Sequence, residues 1–335
     1  MRPSLSAPLR LSAGSTRLYR VKASEFSGKN LRQCRSREIS RQAANGLKDA
    51  DFDLSIGLPF QRGRIITGMD RFFANGTVNT LELGLGSSQA PALFLFHSLL
   101  SDRASFDAIV PRLARSHHVI VPELPGFGRS KAVSGGLVAV ADRMAEAVKD
   151  AAGGRETIVL GNGYGGFVAL QMAIRHPAIA DKLVLADCGA AFSESGREAF
   201  RNMAAAAKAK GLSAITEVAM RRLFAPEFQV AHPELMRDRR EAFLKTDLKV
   251  LQDACAALAE LDLRAELSRV KVPVPVLVGE HDEATPPPMS VELAQMLPNA
   301  RLEIISGCAH VPQLQAPDVF LDAVGDFVAV SQSVP

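Results

Sequence analysis

Cysteine is scarce: Cys34, Cys188, Cys255 and Cys308 are the only four, widely spaced, with no CxxC pair and no zinc-like spacing. That excludes a disulfide framework and a zinc module, and it fits reduced thiols in a cytoplasm-like compartment, each acting as a small hydrophobe. No uncharged apolar stretch reaches the roughly 18 residues of a membrane span, so no membrane partner is expected. Charge of one sign is also in short supply. The formal net charge is +3, and no basic stripe is interleaved with aromatics, which argues against a nucleic-acid partner. Nor does any acidic residue occur before Glu25, although Arg2, Arg10, Arg17, Arg20 and Lys22 are scattered there among serines.

What is present is a chain of 335 residues with 47% hydrophobic content, enough for one large core or two modest ones without metals or disulfides. Residues 1 to about 65 stand apart from it. Their Arg- and Ser-rich composition is like that of an organellar transit peptide, and they lack the sustained apolar periodicity that would offset the entropy of ordering. The expectation is a basic extension outside the fold: a disordered tail, a stretch translated upstream of a start near Met69, or a targeting segment. The first two imply a cytoplasmic protein and the last an organellar one.

From Asp70 onward the patterning is that of a folded domain. Arg71 to Ala74 and Thr77 to Leu83 flank Asn75-Gly76, a hairpin signal because both residues accept positive φ. Short, mostly apolar runs follow at Ala92–Phe96, His118–Val121, Thr157–Leu160, Leu183–Ala186, Val274–Val278 and Leu302–Ile305. Between them lie helical spacings, from Phe106 through Val110 to Leu113, from Leu137 to Ala152, and from about Pro317 to Val330. Strands separated by helices indicate crossovers and a largely parallel sheet, an α/β fold. Between about Phe192 and Leu263 the alternation stops, and four helix-like stretches are expected, with breaks at Gly211, Pro226, Pro233 and Thr246-Asp247.

The stretch around which the rest is organised is Leu160-Gly161-Asn162-Gly163-Tyr164-Gly165-Gly166-Phe167. The apolar run Thr157–Leu160 enters it, and Phe167, Leu170 and Ile174 leave it at spacings of three and four, so a strand feeds a helix through glycines. This passage resembles the nucleophile elbow of the α/β-hydrolase superfamily, whose G-x-S-x-G pattern lifts a serine hydroxyl above the sheet. Gly161 and Gly165 match its glycines. Gly163 stands where that pattern has its serine.

The resemblance implies a mostly parallel, eight-stranded-type sheet flanked by helices, with a core from 66–191 and 264–335. The all-helical 192–263 would be a lid inserted after the sixth strand. It further implies that Asp282, in Gly279-Glu280-His281-Asp282, is the acid, and that His310, in Ser306-Gly307-Cys308-Ala309-His310, is the base. Both follow strands, where α/β sheets place ligand sites, and a carboxylate behind an imidazole holds its tautomer and stabilises its protonated form. The backbone N–H groups of Leu99 and Tyr164 would form the oxyanion hole. His281 reads as solvent-facing, and His97, His117, His118, His176 and His232 have no comparable context.

Within the superfamily, the chain from about Met69 onward is most similar to 3-oxoadipate enol-lactonases and related small ester or C–C bond hydrolases. That similarity is carried by Asp282 with Thr285-Pro286, by Pro125-Gly126-Phe127-Gly128, and by Asp253-Ala254-Cys255-Ala256-Ala257 leading to Leu261-Asp262-Leu263. It implies a small-molecule substrate, no cofactor and no metal. Arg221, Arg222, Arg237, Arg239 and Arg240 are available to meet a dicarboxylate, or they form a solvated helix face.

Three readings of Gly163 follow. The missing side chain leaves room for a water activated directly by His310–Asp282; or the chain is a binding or regulatory relative that does not turn over; or the glycine replaces a serine by design. Cys308 and Ser98 are candidate substitute nucleophiles, but neither is on the elbow.

Overall fold

In the computed structural model, which describes residues 18–21, 68–84 and 89–329, the apolar runs assemble into one sheet. Its strands are β1 (Leu18–Val21), β2 (Met69–Phe73), β3 (Val78–Leu83), β4 (Ala92–Phe96), β5 (His118–Pro122), β6 (Thr157–Asn162), β7 (Lys182–Ala186), β8 (Val274–Gly279) and β9 (Ala300–Ile305). They lie in the order β1-β9-β8-β7-β6-β4-β5-β3-β2. The six strands from β4 to β9 are mutually parallel, while β1, β2 and β3 pair antiparallel to their neighbours.

Helices cover both faces: α1 (Val110–Leu113), α2 (Gly136–Ala152), α3 (Tyr164–Arg175), α4 (Glu194–Lys210), α5 (Thr216–Leu223), α6 (Pro226–Ala231), α7 (Pro233–Phe243), α8 (Leu248–Ala259), α9 (Pro287–Met296), α10 (Pro312–Gln315) and α11 (Pro317–Val328). Because side chains alternate along a strand, Phe94, Phe96, Val159 and Leu185 join Met144, Val148, Phe167 and Leu170 of α2 and α3 on one face. Leu93, Leu95, Ile158 and Leu160 join Phe106, Val110, Phe320 and Val324 on the other. Burial on both sides explains why these runs are uniformly apolar rather than alternating. No helix among the described residues is long and apolar enough to cross a membrane.

The structure departs from the sequence reading in four places. The eight expected strands are present as β2–β9, and among the described residues a ninth joins them, because Leu18–Val21 of the supposed extension pairs with β9, Leu18 opposite Ile305 and Val21 opposite Leu302. This supplies the otherwise open edge of β9 with a partner; the rest of residues 1–65 lies outside the described residues. At the hairpin, positive φ extends over Ala74, Asn75 and Gly76, making a four-residue turn that Thr77 N–H closes on Phe73 O at 3.0 Å. The spacing from Phe106 to Leu113 becomes a 3₁₀ turn at Arg103–Phe106 followed by α1, since the ring of Pro111 clashes with continuation of a helix through the preceding turn. Finally, the helical region contains five α-helices, not four, because its four breaks separate five segments. Asp247 caps the last of them by accepting from Val250 N–H at 3.0 Å.

Candidate active site

The site forms where β4, β6, β7, β8 and β9 end. Gly163 follows β6 with φ 55° and ψ −119°, a conformation that strains any residue with a side chain, and its N–H donates to Ala186 O at 2.9 Å. The two flanking glycines serve close approach. A Cβ on Gly161 would lie 2.3 Å from Gly165 O, and one on Gly165 would lie 2.2 Å from Phe96 O. Their absence lets the first turn of α3 press onto β6 and β4, where Gly165 N–H donates to His97 O at 3.0 Å.

Asp282 and His310, 28 residues apart, meet above this turn, both buried. His310 Nδ1 is 2.9 Å from Asp282 Oδ2. Asp282 is held in place by Ala284 N–H and Thr285 N–H on Oδ1, at 2.7 and 3.0 Å, and by the Thr285 hydroxyl on Oδ2 at 2.7 Å. A carboxylate with that many donors serves as acceptor only, so the ring proton sits on Nδ1 and Nε2 is left as an acceptor.

Nε2 does not face an empty space. Ser98 Oγ lies 3.0 Å from it, and a Cβ on Gly163 would come within 2.4 Å of both Ser98 Oγ and His310 Nε2. The room expected for a directly activated water is therefore filled by a serine hydroxyl. Ser98 was set aside in the sequence because it is not on the elbow. The fold brings it there from the loop after β4, a juxtaposition across 212 residues that no local pattern signals. Cys308, the other substitute, is buried, and burial pushes its thiol up to about 12, far from a thiolate at neutral pH.

Leu99 follows Ser98 in the chain, and Tyr164 follows Gly163. Tyr164 opens α3, so its N–H has no helical partner, and among the described residues neither its N–H nor that of Leu99 donates to a backbone acceptor. His97 fixes the loop that carries Leu99: Nδ1 is 2.9 Å from Ser98 O, and Nε2 accepts from Leu124 N–H at 3.2 Å. Burial lowers the His97 pKa, which keeps the ring neutral and compatible with that pair of bonds.

Asp187, at the end of β7, went unnoticed in the sequence, where Ala186-Asp187-Cys188 reads as an ordinary strand end. It is fully buried with φ 51° and accepts from Gly279 N–H at 2.9 Å and from Asn162 Nδ2 at 3.1 Å. Burial, together with the charge of Asp282, raises its pKa well above the carboxylate range. Asn162 also donates to His310 O at 2.9 Å, which ties the end of β6 to the histidine loop. Asp187, Asp282 and His310 bring one atom each within 4.8 Å of one another, a donor set of the kind that can hold a cation, but their polar atoms already satisfy one another and the nearby backbone.

The region from α4 to α8 packs over this end of the sheet. Arg239 of α7 pairs with Asp102 at 2.9 Å, and Val250 of α8 fills the space beside Gly126. Four of the five arginines singled out in the sequence have acidic neighbours: Arg240 grips Glu217 at 2.9 Å, Arg239 takes Asp102, Arg237 lies 3.6 Å from Asp238 and Arg221 3.6 Å from Glu283. Arg222 differs. It is partly buried and, among the described residues, makes no hydrogen bond or ion pair; burial, and then Arg221, lower its pKa, while Glu283 and Asp282 oppose the shift.

A strand, glycine turn and helix, with an acid and a histidine arriving in that order from later strand ends, is the architecture of α/β hydrolases, and the model of the alpha/beta hydrolase family matches residues 92–323. The chain belongs to that family. Among curated relatives, the hydrolase is 28% identical over 246 residues to a pimeloyl-[acyl-carrier protein] methyl ester esterase of Neisseria meningitidis, covering 70% of this chain and 92% of that one. It is 24% identical over 248 residues to 3-oxoadipate enol-lactonase 2 of Acinetobacter baylyi, covering 71% and 89%. Its fold is shared with the crystal structure of the enol-lactonase from Burkholderia xenovorans LB400, at a TM-score of 0.69 and 24% identity, over 78% of this chain and 99% of that one.

Proposed function

We propose that this hydrolase cleaves a small carboxylic ester or lactone bearing a second, anionic group, using His310 as the base. The observation that carries this reading is the buried Asp282–His310 pair, 2.9 Å apart, with His310 Nε2 beside the Gly163 turn. Asp282 holds Nδ1–H and stabilises the imidazolium that forms when Nε2 takes a proton. The two backbone N–H groups receive the negative charge that develops on the carbonyl oxygen, a contribution of roughly 3–4 kcal/mol per donor in comparable sites. The helices of 192–263 act as a lid on the core formed by 66–191 and 264–335.

The anionic group follows from Arg222. A guanidinium partly withdrawn from water, with carboxylates acting on it only from a distance and none bonded to it, is costly, and a carboxylate on the substrate would supply a direct partner. An enol-lactone of the kind named for the Acinetobacter relative meets both requirements, an acyl–oxygen bond to break and a carboxylate to anchor.

The test is a panel of nitrophenyl esters and small lactones, each with and without a distal carboxylate. The expected result is turnover in both chemistries, with higher kcat/KM for the carboxylate-bearing member of each pair. Binding without turnover across the panel would contradict the reading and favour a binding relative.

A further inference from the structure

We infer that Ser98 is the nucleophile of this hydrolase, the reactive hydroxyl having moved from the elbow to the loop that follows β4. The inference rests on the hydrolytic reading above and extends it to the bond-forming atom.

Three relations support it. First, Ser98 Oγ, His310 Nε2, His310 Nδ1 and Asp282 Oδ2 form one continuous line of hydrogen bonds, 3.0 Å and 2.9 Å long, buried throughout. With the ring proton on Nδ1, the serine O–H donates to Nε2, the arrangement that makes a hydroxyl nucleophilic. Second, Oγ lies 2.4 Å from where a side chain on residue 163 would begin, so the hydroxyl occupies space that the elbow's nucleophile would need. The glycine is what admits it. Third, the loop is held rigidly: Ser98 O is 2.9 Å from His97 Nδ1 and accepts from Ser101 N–H at 3.3 Å, and His97 O accepts from Gly165 N–H at 3.0 Å. Leu99 follows Ser98 directly in the chain, the same sequence relation that the oxyanion-hole N–H has to the serine on an ordinary elbow.

The reaction proceeds in two balanced halves. Ser98 Oγ attacks the acyl carbon as its proton passes to His310 Nε2, and the carbonyl electron pair moves to the oxygen held by Leu99 and Tyr164 N–H. Collapse of that intermediate breaks the acyl–oxygen bond, and the alkoxide leaves with the proton from Nε2, giving acyl-Ser98. Water then attacks the same carbon and gives one proton to Nε2. When the bond to Oγ breaks, that proton returns to Ser98 and the free acid departs.

The experiment treats the full chain with a fluorophosphonate, which forms a stable bond only with an activated hydroxyl, and follows it by intact mass and peptide mapping. Ser98→Ala and His310→Ala are treated in parallel and assayed on a nitrophenyl ester, with near-UV circular dichroism to check that each variant is folded. The expected result is one phosphonyl group on Ser98 in the parent chain, none in either variant, and a loss of kcat of about 10³-fold or more in Ser98→Ala. Turnover in Ser98→Ala within several-fold of the parent, or a label on another residue, overturns the inference. If His310→Ala is inactive in that case, the hydrolase reading survives with water activated directly. A parent chain that neither turns over esters nor takes the label overturns both.

Discussion

Ser98 Oγ and His310 Nε2 are 3.0 Å apart, although their loops leave opposite sides of β6 and Gly163 lies between them without a side chain. The glycine is therefore complementary to the serine rather than merely a lost group. Gly163→Ala would place a methyl within 2.4 Å of both atoms, on a backbone with φ 55°. We expect it to destabilise the fold by about 1–3 kcal/mol, seen calorimetrically as a Tm lowered by several degrees, together with a fall in kcat as Ser98 and His310 are forced apart. An unchanged Tm and rate would mean that the two residues do not occupy that volume.

Asp187 makes stability depend on pH in a defined direction. Its folded pKa lies well above the ordinary carboxylate value because of burial and the charge on Asp282. Between the unfolded and folded values, the native state keeps a proton that the unfolded chain has released, so stability falls as pH rises across that window. Below the unfolded pKa the effect vanishes. Asp187→Asn does not titrate, and its Tm should decline less than the parent's between pH 4 and neutrality. Parallel Tm curves at several pH values for the two proteins would contradict this.

The chain's own residues show what could be read in advance. All six parallel strands were legible from local periodicity, and the glycine passage and the Asp282–His310 pairing from their resemblance to the hydrolase elbow and to the loops where that family keeps its acid and histidine. The contact of Ser98 with His310 and the burial of Asp187 were not, since the first spans 212 residues and the second depends on a neighbouring carboxylate that only the fold brings near. The edge strand Leu18–Val21 was hidden for a related reason: four residues become a strand only once β9 offers them a partner. Among the lid arginines, composition could not separate Arg222 from its four neighbours, because the difference lies in which carboxylates the folded helices bring near.

Arg222→Gln separates anchoring from chemistry. On a substrate with a distal carboxylate, KM should rise by roughly 10- to 100-fold, the equivalent of one hydrogen-bonded charge pair, with little change in kcat. The same substitution should leave the kinetics of a neutral nitrophenyl ester close to those of the parent. Equal effects on both substrates would place Arg222 in the structure of the lid rather than in recognition.

The buried thiols should be inert. Burial raises the pKa of Cys188 and pushes those of Cys255 and Cys308 up to about 12. Iodoacetamide at pH 8 should therefore alkylate these three at least roughly a hundredfold more slowly in the native protein than in denaturant, as read by peptide mass spectrometry. Fast native labelling at Cys308 would restore it as a candidate nucleophile.

The most direct measurement is kcat/KM of His310→Ala beside the parent on one short-chain nitrophenyl ester under identical conditions. A loss of about 10³-fold or more is expected, because the base for both half-reactions is gone while the fold and the backbone donors remain. Equal rates in the two proteins would show that the Asp282–His310 pair does not drive hydrolysis.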